Sequence, residues 1–255
     1  MILALDTSSA ASAAVVDGGG VALGRSRPVT GGRQARRLLE CVHEALTDAG
    51  VGLAAIDTVV CGLGPGSFTG LRIGIAAARA LAQGAGLGLA GVPSLEALAG
   101  GLAAGEAGAS ATWVVPLIDG RRSEVFAAIY RVPSAIAETP APAPGPVLEP
   151  LVTLAVVPAS DLAAFLAPWP GALVGGDGAL LHADRLPPTV AHERAVAAPD
   201  ALMVAHRYLA GSPAVTRGFA ATLPIYGREP DAVPGVAPPL GLAGGRPPAA
   251  DGGRP

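Results

Sequence analysis

Over the first hundred residues, apolar positions fall in short runs separated by tight turns. Residues 2–5 are apolar and end at Asp6 and the polar turn Thr7-Ser8-Ser9, which reads as a buried strand. Residues 11–16, closed by Asp17-Gly18-Gly19-Gly20, read as a second strand and residues 21–26 as a third. Turns this short predict an opening β-meander. From Thr30 or Gly31 to about Ala49 the period changes: Leu38, Leu39, Val42, Ala45 and Leu46 form a 3.6-residue stripe, and Gly50 stops the helix. Residues 57–62 read as a strand. The turn Gly64-Pro65-Gly66 follows, and Ser67 caps a helix running to about Gln83. Residues 87–92 are again a strand, and Pro93-Ser94 opens a helix over 95–102.

The second half is less regular. The Gly/Ala-rich stretch 100–110 is the expected domain boundary. Residues 112–118 and 124–131 read as a hairpin around Asp119-Gly120-Arg121-Arg122. Residues 133–150, rich in Pro and Ala, read as a mobile insertion. A short helix over 160–166, a strand over 172–174 and a last helix over 199–209 follow. The Pro/Gly-rich tail, residues 231–255, is expected to be disordered. Strands alternating with helices behind an antiparallel opening predict an α/β fold with a mixed sheet. The expected division is a first lobe over 1–105 and a second over 106–230.

Composition narrows the chemistry. Aromatic residues make up 4% of the chain, so the core must be built from Ala, Val, Leu and Ile, which brings backbones close together. All 17 basic residues are Arg. With no Lys there is no Schiff-base lysine and no P-loop lysine. A net charge of −3 does not suit a chain that grips nucleic acid alone. Cys41 and Cys61 lack metal-site spacing and read as reduced cytosolic thiols. The N-terminus has no basic flank and only a short apolar run, so neither a signal peptide nor a membrane span is expected, and the expected location is cytoplasmic.

The segment 64–74, GPGSFTGLRIG, carries the most information. Its glycines and proline force a tight strand-to-helix turn, and Ser67 stands where its oxygen can cap free amides. Such a turn holds phosphate in many proteins, but it also serves simply to start a helix. Along the helix, Gly70, Gly74, Ala77, Ala78 and Leu81 leave one face nearly bare, suited to close packing inside the core or against a partner. Phe68, Leu71 and Ile75 lie on the adjacent flank. Asp6, Thr7 and Ser8 form an acid-hydroxyl turn of the kind that approaches phosphate, although Ser8 stands where a glycine would let phosphate closer. Arg33, Arg36 and Arg37 crowd the start of the first helix, against its dipole. His43, His182, His192 and His206 do not pair at helical spacing, and Ser67 lacks a nucleophile elbow, so no catalytic or metal constellation is expected.

Taken in order, ILALDTSS, GLGPGSFTGLRIG, IDGRRSEVFAAIY and PIYGREP make the chain resemble the TsaB family over residues 1–230. The resemblance implies an actin-like fold, the sugar kinase and heat-shock ATPase (ASKHA) architecture, in two lobes with the second shortened. It implies a non-catalytic subunit that binds and activates TsaD, the related subunit carrying metal and transferase site. Together with the ATPase TsaE, that complex modifies the adenosine beside the tRNA anticodon with threonylcarbamoyl. tRNA would be met only through the complex, and the chain alone would form a homodimer. No cofactor is implied in this chain, with ATP or ADP left as a question for the subunit interface. The family's partner interface uses the first two long helices, here Leu38, Leu39, Val42 and Leu46 with Phe68, Gly70, Leu71, Gly74, Ile75 and Ala78. Gln34 stands where family members often carry His, which argues further against a metal role. Two other readings stay open: a glycoprotease-like peptidase, and a stand-alone actin-like ATPase or kinase.

Overall fold

Ile2–Asp6 (β1) and Ser12–Val16 (β2) pair antiparallel, and every residue in both is buried. Strands covered on both faces show continuous apolar runs rather than alternation, which explains the sequence pattern. The structure, a computed structural model, describes residues 1–29, 34–133, 146 and 148–228. Ala22–Arg25 (β3) completes the meander. Helix α1, Gln34–Asp48, then leads to Thr58–Gly62 (β4), which lies parallel to β1. Helix α2, Phe68–Ala85, leads in turn to Gly88–Val92 (β5), parallel to β4. Helix α2 ends at Gly86, whose φ of 67° is the left-handed value that favours glycine.

Helix α3, Ser94–Ala104, connects to a second sheet. There Trp113–Arg121 (β6) and Glu124–Arg131 (β7) form the hairpin expected from sequence, and Glu149–Pro158 (β8) extends it antiparallel. Leu162–Leu166 (α4), Leu173–Gly175 (β9), Asp177–Leu181 (α5) and Ala191–Glu193 (β10) follow, then Ala201–Leu209 (α6) and Thr216–Arg217 (β11). The sheet orders are β11-β5-β4-β1-β2-β3 and β10-β9-β6-β7-β8.

The first sheet is covered on both sides. Leu3, Leu5, Val15 and Val59 meet Leu38, Val42, Ile75 and Ala78 of α1 and α2. The alternate positions Ile2, Ala4, Val60 and Ala90 meet Val204 and Ala205 of α6. Helix α3 carries Leu95, Leu98 and Leu102 onto Val114, Phe126 and Ala128 of the second sheet.

Two differences from the sequence reading stand out. Helix α6 and β11 do not belong to the second sheet, although they fall within 106–230. Helix α6 packs on the first sheet, its N-cap Asp200 ion-paired with Arg25 at 3.0 Å, and β11 pairs with β5. Glu149 and Pro150, placed in the insertion, open β8. The rest of that insertion (134–145 and 147), the start of the first helix with Arg33, and the tail 231–255 lie outside the described residues.

Candidate functional site

The acid-hydroxyl turn after β1 and the GPGS turn after β4 are packed against each other. Asp6 is buried, and its Oδ1 accepts hydrogen bonds from the Ser8 amide at 2.8 Å and the Ser8 hydroxyl at 2.6 Å. Its Oδ2 accepts from the Ser94 hydroxyl at 2.9 Å, and Ser94 Oγ in turn accepts from the Gly64 amide at 3.1 Å. Burial pushes the Asp6 carboxyl up to about 6, against the downward pull of the Ser8 and Ser94 hydrogen bonds. Thr7 donates to the Gly70 carbonyl at 2.9 Å, and the Ser67 amide donates to the Ser8 carbonyl at 2.8 Å. Ser67 Oγ caps α2 by accepting from the Gly70 amide at 3.2 Å.

The glycines of the motif make this contact possible. A Cβ on Gly66 would strike the Ser8 backbone, one on Gly70 the Thr7 carbonyl, one on Gly74 the Thr7 hydroxyl, and one on Gly62 the Asp6 carboxylate. The hydrogen-bonding groups of Asp6, Thr7 and Ser8 thus serve the join between two turns.

Beyond the join lies a cleft of about 500 Å³. Ser8, Ser67 and Phe68 line one side, the β6–β7 turn another, and Tyr226 to Arg228 a third. Residues 119–122 with Phe126, and residues 226–228, distant in sequence, therefore converge on the same opening as residues 66–68. Arg121, Arg122 and Ser123 turn the hairpin with φ of 63°, 53° and 59°. Arg121 pairs with Asp119 at 3.0 Å, and Arg228 with Glu124 at 3.1 Å and with the Gly120 carbonyl. Asp177 accepts from the Asp119 amide at 2.9 Å, and burial raises its pKa. At the rim the Phe68 and Tyr226 rings lie 5.1 Å apart, with the Arg72 guanidinium 4.4 Å over Phe68. Among the described residues no three His, Cys, Asp or Glu side chains stand together as a metal site. Asp119, Asp177, Tyr226 and Arg228 were not picked out from sequence, since they become neighbours only when the second sheet and the C-terminal segment meet.

Most residues of the expected partner face are turned into the chain itself. Leu38, Val42, Gly70, Leu71, Gly74, Ile75 and Ala78 are all buried in this chain, and Leu46 is partly buried against the same core. Only Leu39 and Phe68 of that set are exposed. The bare stripe of α2 faces Thr7 and the first sheet, which turns Arg72, Ile73, Ala76 and Ala80 outward. On α1 the outward residues are Leu39, Glu40, His43 and Glu44. No helix among the described residues is long and apolar enough to cross a membrane.

The two mixed sheets and the helices packed on them define an α/β protein. YeaZ from Pseudomonas aeruginosa matches at a TM-score of 0.69 and 28% identity, over 88% of this chain and 98% of that one. A family model described as TsaD, tRNA N6-adenosine threonylcarbamoyltransferase, matches residues 29–150. An uncharacterized protein of Mycobacterium tuberculosis is 42% identical over 51% of this chain and 58% of its own length. The tRNA threonylcarbamoyladenosine biosynthesis protein TsaB of Escherichia coli is 43% identical over 38% of this chain and 40% of its own length. The chain thus spans about half the length of the curated relatives it matches. Over the matched part of its length the chain is similar to proteins named TsaB.

Proposed function

We propose that this chain is a non-catalytic subunit of the machinery for tRNA threonylcarbamoyladenosine biosynthesis, and that it binds and activates TsaD for threonylcarbamoyl transfer. The observation that carries the reading is the match to proteins of Escherichia coli, Haemophilus influenzae and Bacillus subtilis named as TsaB, at 43, 42 and 30% identity. The internal use of Asp6, Thr7 and Ser8 supports a structural rather than a phosphate-handling role for that turn. The partner surface is the outer face of α1 and α2, centred on Leu39 and Ile73, and the isolated chain pairs with a second copy through the same face. Stabilising one conformation of TsaD shifts its population toward the active state. TsaE and tRNA join through the complex, and any ATP or ADP sits where the subunits meet.

Reconstitution with TsaD and TsaE of the same organism tests this. Modification of tRNA is expected to depend on adding this chain. Full modification without it overturns the proposal.

A further inference from the structure

Gly66 and its neighbour Pro65 line different cavities. Gly66 belongs to the cleft described above, and Pro65 to a second cavity of about 280 Å³ that shares no lining residue with it. Leu95 and Glu96 from the first turn of α3, Tyr130 near the end of β7, Leu154 of β8 and Ile225 form much of its wall. The lining is mainly apolar and the volume exceeds the ~150 Å³ that accommodates benzene in a protein interior. There is room for a substituted ring.

Two buried polar groups stand in this wall. Glu96 is ion-paired with Arg207, but Nε (3.1 Å) and the terminal nitrogen (2.8 Å) both donate to Oε1, so Oε2 keeps its accepting capacity. Tyr130 is 3% exposed, and among the hydrogen bonds of the described residues none engages its hydroxyl. Burial, then the nearby Glu96 charge, raises its pKa, so the phenol stays neutral and able to donate. The wall thus offers one donor and one acceptor in an otherwise apolar space, the composition of small-molecule sites.

We propose that this cavity binds a small, mainly apolar molecule bearing one hydroxyl group, which accepts from Tyr130 and donates to Glu96. The site is separate from the partner face and from the inter-sheet cleft, and it stands whether or not the chain serves TsaD.

Amide NMR titration of the full chain with 2-phenylethanol tests it. Saturable shifts are expected in β7 and β8, around Tyr130 and Leu154. Tyr130→Phe should weaken binding by roughly three- to tenfold, the worth of one hydrogen bond. Ala214 lines the cavity yet is itself exposed, so Ala214→Phe should block entry without disturbing the core. Binding is expected to vanish in that variant at an unchanged melting temperature. Absence of saturable shifts, undiminished binding in Ala214→Phe, or undiminished binding in Tyr130→Phe overturns the proposal.

Discussion

Thr7 and Gly74 touch so closely that any Cβ on Gly74 would overlap the Thr7 hydroxyl. That hydroxyl is fixed by its 2.9 Å hydrogen bond to the Gly70 carbonyl, so it cannot rotate away without cost. The spacing of small residues along α2 is therefore set by a turn more than sixty residues earlier in the chain.

Gly74→Ala is accordingly expected to destabilise the fold by about 1–3 kcal/mol, the range for overpacking a close contact. Removing the opposing side chain should relieve the clash. Thr7→Ala combined with Gly74→Ala is expected to be more stable than the sum of the two single changes implies, since the residues share one space. Denaturant unfolding of the four variants of the cycle measures this, and additivity within error would contradict it.

This contact also marks the limit of what the sequence discloses. The opening meander, the Ser67 cap and the β6–β7 hairpin were legible because each depends on local period, turn chemistry or capping. The direction of α2 was not. Gly70, Gly74 and Ala78 make one bare stripe, and Leu71 and Ile75 an adjacent apolar one. Periodicity cannot say which of the two faces the chain's own sheet. The structure puts both inside, because the approach of Thr7 needs the bare stripe and the sheet needs the leucine and isoleucine. The last helix was visible as a helix over 199–209, but its return to the first sheet depends on long-range pairs such as Arg25 with Asp200. The cleft was legible only as separate motifs, with nothing in their spacing to bring Arg228 to Gly120.

The Glu96–Arg207 pair ties α3 to α6 in a buried setting, with both side chains almost fully enclosed. Arg207 also donates to the Pro146 carbonyl at 2.6 Å. Removing one partner leaves the other charge unpaired in low dielectric, so Glu96→Leu is expected to cost about 3–5 kcal/mol. Replacing both, Glu96→Leu with Arg207→Met, should recover much of that loss. Thermal unfolding of single and double variants distinguishes this from simple loss of packing, for which the double variant would be the worst of the three.

Asp6 gives the fold a pH dependence of definite sign. The folded chain holds this proton up to about 6, whereas an ordinary aspartate releases it near 3.8. The folded state therefore binds more protons than the unfolded one between those values. This contribution to stability is complete below about 3.8 and is lost as pH rises through about 6, a change of about 3 kcal/mol for this fully buried group. Asp6→Asn carries no such titration. The stability of the variant relative to the wild type is expected to rise between pH 4 and pH 7, measured by denaturant midpoints across that range. A difference that stays flat would contradict the assignment.

The partner face can be separated from the core by paired substitutions on a single helix. Ile73 is 36% exposed and Leu71 is fully buried, two residues apart on α2. A charge at Leu71 is placed in the core and has no partner there, so Leu71→Asp should unfold the chain. A charge at Ile73, or at Leu39 with its 62% exposure, meets water in the isolated chain and should leave the melting temperature nearly unchanged. In a complex it would be trapped at the centre of an apolar contact, where a single substitution of this kind costs at least 2 kcal/mol, about thirtyfold in affinity. Ile73→Asp and Leu39→Asp are therefore expected to remain folded by circular dichroism and to lose co-purification with TsaD from the same organism. If both variants fold and still bind TsaD with wild-type affinity, the outer face of α1 and α2 is not the contact.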